Sequence, residues 1–305
     1  MKSTISLILI AISVSLFAQQ KMCITIDDQP TVDYGLGNHL EITNGLLNAL
    51  QNHNAPAVAF VNEGKLYEDN QLSNEKVRLL EKWLEEGHEL GNHTYSHMNY
   101  HNVNLEEYGK DILKGEQIIR PLSEKYGKEF RYFRHPYLRS GADKETSDSL
   151  KAFLLSKDYI EAPVTIDNEE YLFAKAYAVA IRNGNDELAE NVAKEYLKYM
   201  EDQLEYFEKA SNDLLGRKMD HVLLIHANYL NAMYLDDLLS IYEKKGYTFS
   251  TLDEVMKDPA YQLEVTRFGN WGISWVQRWG MSKGLKGDFF KGEAQTPEFV
   301  RKLAN

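Results

Sequence analysis

The sequence predicts an α/β fold in which parallel strands and crossover helices form a barrel. Short apolar runs, about seven in number, alternate with amphipathic helical patterns, and a parallel sheet with helical crossovers produces that alternation. Hydrophobic residues make up 43% of the 305 residues, which is ample for a buried core. The strand count favours a barrel over an open sheet, and in both architectures functional residues are expected at the C-terminal ends of strands.

The predicted elements follow one another along the chain. Strands are predicted for the apolar runs 22–26, 57–61, 88–92, 130–133, 160–166, 221–226 and 247–251. Amphipathic helices are predicted over 39–53 and 74–87, where apolar residues recur at helical spacing, and Gly87 is a natural terminator of the second helix.

Residues 168–218 interrupt this alternation because they contain no strand pattern. They predict two helices separated at 183–185, and the second carries an apolar stripe that includes Val192, Tyr196 and Phe207. One interpretation is a helical hairpin packed on the outside of the barrel. The other is a lid or an oligomer contact.

The first 20 residues have the layout of a secretory signal peptide. One lysine, Lys2, precedes a largely apolar run from Ile5 to Phe17 that is too short to span a bilayer, and Ala18 is a plausible cleavage position. Retention as an uncleaved anchor is the alternative. We therefore expect a secreted or periplasmic protein with no transmembrane span after signal removal.

Charge and cysteine content narrow the expected partners. The formal net charge is −12, from 46 acidic and 34 basic residues, and nucleic-acid binding requires clustered Lys and Arg, so no nucleic-acid partner is expected. Cys23 is the single cysteine, so no intramolecular disulfide can form, and we expect it to be buried in the first strand. These features do not predict an oligomeric state.

Ionisable residues follow the first and third predicted strands. Asp27 and Asp28 end the first, where a bend could turn both carboxylates into one site; a pair of turn carboxylates is the alternative. His93 and His97 follow the third, and on the first turn of a helix their imidazoles would share one face within reach of a common ion. Two histidines and one carboxylate suit a divalent first-row metal and leave positions open for water and substrate.

Three further ionisable residues stand at later strand ends. Arg134 precedes Pro136, which stops the strand, and its guanidinium could hold a carboxylate through a fork-shaped pair, in a site or as a structural bridge. Asp167 and His226 end the fifth and sixth predicted strands. Together with the earlier residues, they form a set suited to one hydrolytic site.

This ordered set resembles the five motifs of the NodB-type polysaccharide deacetylases, carbohydrate esterase family four. The residues that carry the resemblance read ITIDD, HTYSH, RHPY, VTID and LLIH and lie within roughly 22–258. The resemblance implies a distorted (β/α)7 barrel at 21–258, with 168–218 as a helical insertion before the last strands and 259–305 as a C-terminal extension. It also implies removal of acetyl groups from sugars, usually from the nitrogen of N-acetylglucosamine units.

The resemblance assigns Asp28, His93 and His97 as metal ligands and Asp27 as general base, with Arg134 positioning that base. The ion expected is Zn²⁺, with Co²⁺ or Ni²⁺ as alternatives. Zinc lowers the pKa of bound water to about 7 and polarises a carbonyl, which are the two activations that amide hydrolysis requires.

The remaining roles concern the leaving group and the oxyanion. His226 is expected to be the general acid, oriented by Asp167, and a backbone N–H such as that of Tyr137 is expected to contact the oxyanion. Three departures from the family pattern bear on these roles. Gln29 stands where glycine usually follows the aspartate pair, and no tryptophan stands close after Asp167. The 168–218 insertion also separates Asp167 from His226 far more than is common.

The expected substrate is an acetylated glycan of the chitin-oligomer or peptidoglycan type. An O-acetyl (acetyl xylan) esterase acting through the same residues is one alternative, and a catalytically inactive carbohydrate-binding protein is another. Near the C-terminus, Trp271, Trp275 and Trp279 recur every four residues and would share one face of a helix. Packing of that helix on the barrel is one interpretation, and a sugar-stacking or membrane-surface contact is the other.

Overall fold

The computed structural model describes residues 19–305. The apolar run of the predicted signal peptide lies outside these residues. None of the helices within 19–305 is long and apolar enough to cross a membrane.

Within residues 19–305, nine strands form one seven-stranded sheet and one small hairpin. They are β1 (Gln20–Val32), β2 (Ala57–Val61), β3 (Tyr67–Glu68), β4 (Gln71–Leu72), β5 (Glu89–Asn92), β6 (Tyr132–Phe133), β7 (Ile160–Glu161), β8 (His221–Asn228) and β9 (Tyr247–Phe249). The large sheet has the order β7-β6-β5-β2-β1-β8, and β9 pairs with the first residues of β1. All of its strand pairs are parallel, whereas β3 and β4 form an antiparallel hairpin.

The segment that follows β7 closes the sheet into a ring. Ala162 N donates to Phe133 O at 2.8 Å on one side, and Ile166 forms a β-bridge with Leu223 of β8 on the other. The two ends of the strand order are thereby joined through a short, weakly paired stretch. The predicted barrel is confirmed, and the irregular closure makes it a distorted one.

Eleven α-helices surround the sheet within the described part of the chain. They are α1 (His39–Asn52), α2 (Asn74–Glu85), α3 (Leu105–Lys114), α4 (Ile119–Lys125), α5 (Lys144–Ser156), α6 (Glu170–Arg182), α7 (Asp186–Leu215), α8 (Tyr229–Lys244), α9 (Leu252–Val255), α10 (Trp275–Ser282) and α11 (Glu298–Ala304). The helices predicted over 39–53 and 74–87 are α1 and α2. Gly87 follows α2 with a φ of 88°, a left-handed conformation that glycine adopts without steric cost.

Alternation along β1 determines which side chains enter the barrel. Cys23 packs with Phe60 and Val222 in a small buried cluster inside the ring, whereas Ile24 and Ile26 belong to the larger core between sheet and helices. Cys23 is fully buried, as predicted. Because side chains alternate between the two faces of a strand, Asp27 lies on the same inner face as Cys23, at the C-terminal end.

The insertion at 168–218 is the predicted helical hairpin. It consists of α6 and α7, contains no strand in the described structure, and buries the stripe of α7 that includes Val192, Tyr196 and Phe207. The long helix packs against α8 and α10, and α6 packs against α11. The hairpin is therefore part of the folded core.

The tryptophan prediction is partly wrong. Helix α10 begins at Trp275, so Trp271 lies before the helix and the three rings do not share one helical face. Trp275 and Trp279 are 7% and 2% exposed, and the guanidinium of Arg278 stacks on the Trp275 ring. Burial of these two rings confirms the packed-helix interpretation and leaves them unavailable for stacking against a sugar.

Candidate active site

Asp27 occupies the top of the barrel interior and is held by a buried arginine. Arg134 Nη1 donates to both carboxylate oxygens of Asp27, at 3.2 and 3.3 Å. Arg134 Nη2 donates to Thr25 Oγ1, and its Nε donates to the carbonyl of Ala162, each at 2.9 Å. The predicted fork-shaped pair is therefore wrong in detail, since one nitrogen contacts the carboxylate and the others fix the guanidinium to the barrel wall.

Asp28 enters the same site because its backbone is left-handed. Strand alternation alone would point Asp28 away from Asp27, but its φ of 68° turns the side chain towards the histidines. Its Oδ1 lies 3.5 Å from His97 Nε2 and 3.8 Å from His93 Nε2. Lys65 Nζ donates to the Asp28 carbonyl at 2.8 Å and lies 3.6 Å from Oδ2, so it holds the turned residue in place.

The segment 93–97 is a loop, which corrects the prediction of a helical first turn. Thr94 and His97 have φ values of 63° and 56°, which are incompatible with a right-handed helix. His93 Nδ1 lies 2.8 Å from the carbonyl of Arg134 and donates to it, which leaves the Nε2 lone pair facing Asp28. The two histidines converge through loop geometry, and not through helical periodicity.

The three side chains form a candidate metal site. One ligand atom from each of Asp28, His93 and His97 lies within 4.8 Å of the others. Asp28 Oδ1 is buried and has no hydrogen-bond partner within the described residues. A buried, unpartnered carboxylate oxygen facing two imidazole nitrogens is the arrangement that a divalent cation satisfies, and two nitrogens with one carboxylate are donors that zinc accepts.

The protonation states agree with metal binding. Burial lowers the pKa of His93 well below its usual value and also lowers that of His97, so both are neutral and can ligate. Burial alone would raise the pKa of Asp28, but Lys65 and the histidines outweigh it and lower the pKa, which keeps the carboxylate ionised. For Asp27, burial raises the pKa to about 6 against the opposing effect of Arg134.

His226 pairs with Glu170, not with Asp167 as predicted. His226 Nδ1 donates to Glu170 Oε2 at 2.8 Å, and Glu170 is fully buried at the start of α6. The other oxygen of Glu170 accepts from the side-chain amides of Asn228 and Asn231. Burial lowers the pKa of His226, but the Glu170 carboxylate outweighs it through its charge and hydrogen bond and raises the pKa to about 9.

Asp167 lines the cleft at a different place. Its Oδ1 accepts from the backbone N–H of Asn168 at 2.9 Å. Burial raises the pKa of Asp167 to about 7, and the nearby charge of Glu293 adds to the effect. Asp167 is therefore not hydrogen-bonded to His226, which pairs with Glu170.

One cleft of about 710 Å³ joins these groups. It contains the predicted residues Asp27, Asp28, His93, His97, Tyr137, Asp167 and His226. Arg134 is fully buried beneath it. Tyr137 has a left-handed backbone, its ring lies 4.5 Å from the His97 ring, and its side chain is 55% exposed at the mouth of the cleft. The structure thus brings together all the predicted positions around a single opening.

Part of this chain is similar in sequence to known proteins. Residues 17–153 match the family model described as polysaccharide deacetylase. Over 121 residues, 40% of this chain and 38% of the relative, the sequence is 32% identical to a peptidoglycan-N-acetylglucosamine deacetylase of Bacillus cereus. Residues 17–153 of this chain are thus similar to the polysaccharide deacetylases. The chain spans about two fifths of the length of that curated relative.

Solved structures of this family share the fold. The peptidoglycan deacetylase PdaC of Bacillus subtilis superposes with a TM-score of 0.51 at 21% identity, over 79% of this chain and 93% of that chain. BA3943 of Bacillus anthracis, described as a pseudoenzyme of carbohydrate esterase family four, gives 0.51 at 15% identity, over 78% and 66%. At these identities, the likeness concerns the barrel alone.

The sequence does not predict two of the residues that contribute to this site. Glu170 follows Asp167, which ends the strand pattern, and it is the first residue of α6, a position where acidic residues are common. Lys65 lies in the segment after β2 and carried no signal in the sequence. Only the folded chain brings its amine to the carbonyl of Asp28.

Proposed function

We propose that this protein is a metal-dependent deacetylase that hydrolyses the acetamide of N-acetylglucosamine units in a glycan, outside the cytoplasm. The observation that carries the proposal is the convergence of Asp28, His93 and His97, with Asp27 and His226 in the same cleft. The curated relative, named as a deacetylase of N-acetylglucosamine in peptidoglycan, supports the choice of acetamide. The predicted signal peptide supports the location.

A divalent cation held by Asp28, His93 and His97 would lower the pKa of a bound water and polarise the acetamide carbonyl; Zn²⁺ is the ion we propose. Asp27 takes the proton from the attacking water. Its carboxylate is suited to that step because burial strengthens its basicity while Arg134 fixes both oxygens. The backbone N–H of Tyr137 donates a hydrogen bond to the developing oxyanion.

His226 supplies the proton that the departing amine requires. An amine leaves an acetamide only when its nitrogen is protonated, so the acid must be charged at working pH. Glu170 provides this condition, since its carboxylate raises the pKa of His226 to about 9. Its hydrogen bond to Nδ1 also leaves Nε2 as the ring nitrogen available to the substrate.

Acetate release from defined glycans tests the proposal. The purified protein is incubated with chitin oligomers, peptidoglycan fragments and acetylated xylan, with and without a chelator, and the products are identified by mass spectrometry. We expect acetate from an N-acetylated glycan that is lost with chelator and restored by Zn²⁺. Tight glycan binding without any acetate from the metal-loaded protein would favour the inactive carbohydrate-binding alternative.

Replacing Glu170 with glutamine is expected to move the alkaline limb of the pH–rate profile to lower pH by about one to two units. The amide preserves the volume of the side chain but removes the charge that raises the pKa of His226, so burial then lowers that pKa. Because the protonated form acts, activity falls as pH rises through the pKa, and a lower pKa brings the fall to lower pH. The measurement is kcat/KM from pH 5 to 10.

Glu169→Gln is the matched control for this variant. Glu169 carries the same carboxylate one residue earlier but contacts Arg301 and Thr296, so its replacement should leave the alkaline limb in place. An unchanged limb in Glu170→Gln would show that Glu170 does not set the protonation of His226.

Replacing His226 with alanine is expected to reduce amide hydrolysis by about 10²- to 10⁴-fold and to reduce ester hydrolysis far less. An alkoxide leaves more easily than an amine and depends less on a proton donor. The measurement compares kcat/KM on a chitin oligomer and on acetylated xylan for both proteins. A wild-type protein that prefers the ester, together with a variant of unchanged esterase activity, would instead favour the O-acetyl esterase.

A further inference from the structure

The cleft extends beyond His226 into a polar chamber formed by Asp167, Gln203, Gln277 and Glu293. All four line the same cleft as the candidate metal ligands. Gln203 of α7 and Gln277 of α10 are buried, with 1% and 7% of their surfaces exposed. These residues lie outside 17–153, the part that matches the family model. The chamber is therefore built by Asp167 together with the helical insertion and the C-terminal segment of this chain.

The amide donors of the chamber are already committed. Gln203 Nε2 donates to the backbone carbonyl of Asp167 at 3.1 Å and to Glu293 Oε1 at 3.3 Å. Gln277 Nε2 donates to Glu293 Oε2 at 3.2 Å and to the hydroxyl of Tyr206 at 3.4 Å. A side-chain amide has two N–H donors, so neither glutamine has one left for a ligand. The carboxylate oxygens of Asp167 and Glu293 remain as hydrogen-bond acceptors for a ligand.

The arginines beside the chamber are also engaged. Arg301, at the rim, donates to Glu169 at 2.5 Å. Arg278 donates to the carbonyls of Leu138 and Ile273 and to the hydroxyl of Ser140. The polar atoms of the chamber are therefore mainly oxygen acceptors, which favour a group that donates hydrogen bonds.

Arg139 is the arginine of the cleft wall that lies outside the chamber. Its guanidinium stands 6.0 Å from the Tyr137 ring, which itself contacts His97 at the metal end of the cleft. The positive charge of Arg139 lies at the metal end, so it does not supply a hydrogen-bond donor to the chamber. The two ends of the cleft thus present different chemistry to a bound glycan.

We propose, on the basis of the proposed deacetylase function, that the chamber binds the hydroxyl groups of the sugar adjoining the N-acetylated one and excludes a carboxylate-bearing sugar there. Sugar hydroxyls donate to carboxylates, and such charge-assisted hydrogen bonds are stronger than neutral ones. A sugar carboxylate would instead face two acceptors and a like charge in a poorly solvated space. The substrate class is thereby a neutral N-acetylated glycan of the chitin type.

Two oligosaccharides of equal length test this assignment. One is a chitin tetramer; in the other, N-acetylglucosamine alternates with a carboxylate-bearing sugar. Dissociation constants are measured by calorimetry on the zinc-loaded protein, and kcat and KM are measured by acetate release. We expect the wild-type protein to bind the neutral glycan at least about tenfold more tightly, the effect of one hydrogen bond to a charged group.

Glu293→Ala is expected to raise the dissociation constant and the KM for the chitin tetramer about tenfold with little change in kcat. The ratio of the dissociation constants for the two glycans should fall to within about twofold. Glu293→Gln, which keeps the side-chain volume, should act in the same direction if alanine destabilises the fold. The matched control is Glu298→Ala on α11, whose carboxylate is 81% exposed and pairs with Lys302. Thermal unfolding is compared for all four proteins.

Equal binding of the two glycans by the wild-type protein would overturn the assignment of the chamber, whether or not acetate is released. So would a Glu293→Ala variant that keeps the full preference of the wild type. Acetate release from the wild-type protein decides the proposed function separately, because the binding comparison requires no turnover.

Discussion

Replacing Asp28 with alanine is expected to remove the bound metal and the acetate-releasing activity together. Its Oδ1 is the one anionic donor of the trio, and it faces His93 and His97 without another partner in the described structure. Without it, two neutral imidazoles remain beside the positive charge of Lys65, which repels a cation. Metal affinity should fall by at least about 100-fold, and activity by about 10³-fold, since the ion supplies several kcal/mol at the transition state.

The measurement is metal content by mass spectrometry after dialysis against a graded chelator series, together with acetate release. Asp33→Ala is the matched control, because Asp33 directly follows β1, the strand that carries Asp28, but accepts hydrogen bonds from the backbone of Gly35 and Gly37. It should retain one equivalent of metal and nearly full activity. An Asp28→Ala protein that held zinc as tightly as the wild type would remove the basis of the metal assignment.

Replacing Asp27 with asparagine is expected to reduce kcat about 10²- to 10⁴-fold while the metal stays bound. Asp27 is 3% exposed, and both of its oxygens face Arg134, so it is positioned as a base beside the trio. Asparagine fills the same volume but cannot accept the proton of the attacking water. The measurement is kcat with chitin oligomers alongside metal content and the thermal midpoint.

Asp253→Asn gives a control with the same chemical change in another arginine-paired carboxylate. Asp253 pairs with Arg131 at 2.6 Å and lies outside the cleft. Its replacement should change kcat little. A metal-loaded Asp27→Asn protein with normal kcat would show that another group removes the proton.

The barrel and the location of its site follow from local patterns in the sequence. The run 57–61 and the helix over 39–53 are visible because apolar residues recur at strand and helix spacing, and such spacing survives in the fold. Residues that end parallel strands meet at one edge because all strands point the same way. Asp27, His93 and His226 were therefore predictable neighbours, although they lie far apart in the chain.

The errors concern contacts that depend on tertiary geometry. His93 and His97 converge because the backbones of Thr94 and His97 are left-handed, and the spacing of residues in the sequence does not indicate such a conformation. Glu170 replaces Asp167 beside His226 because helix α6 begins where its first residue reaches the end of β8. Trp271 does not belong to the predicted stripe because α10 begins only at Trp275, after the N-cap residue Ser274, whose hydroxyl accepts from Val276 N.

By itself, the sequence determined the α/β barrel, its strand order in the chain, the two-helix insertion and the set of groups available for hydrolysis, because these depend on local periodicity and on residues at strand ends. Only the tertiary structure decided which carboxylate raises the pKa of His226, which lysine contacts Asp28 and which side chains form the chamber. Three of those pairings, Asp28–Lys65, Glu170–His226 and Gln203–Glu293, join residues 37, 56 and 90 positions apart. At such separations, position in space follows from packing of the whole chain, and not from the spacing of residues along it.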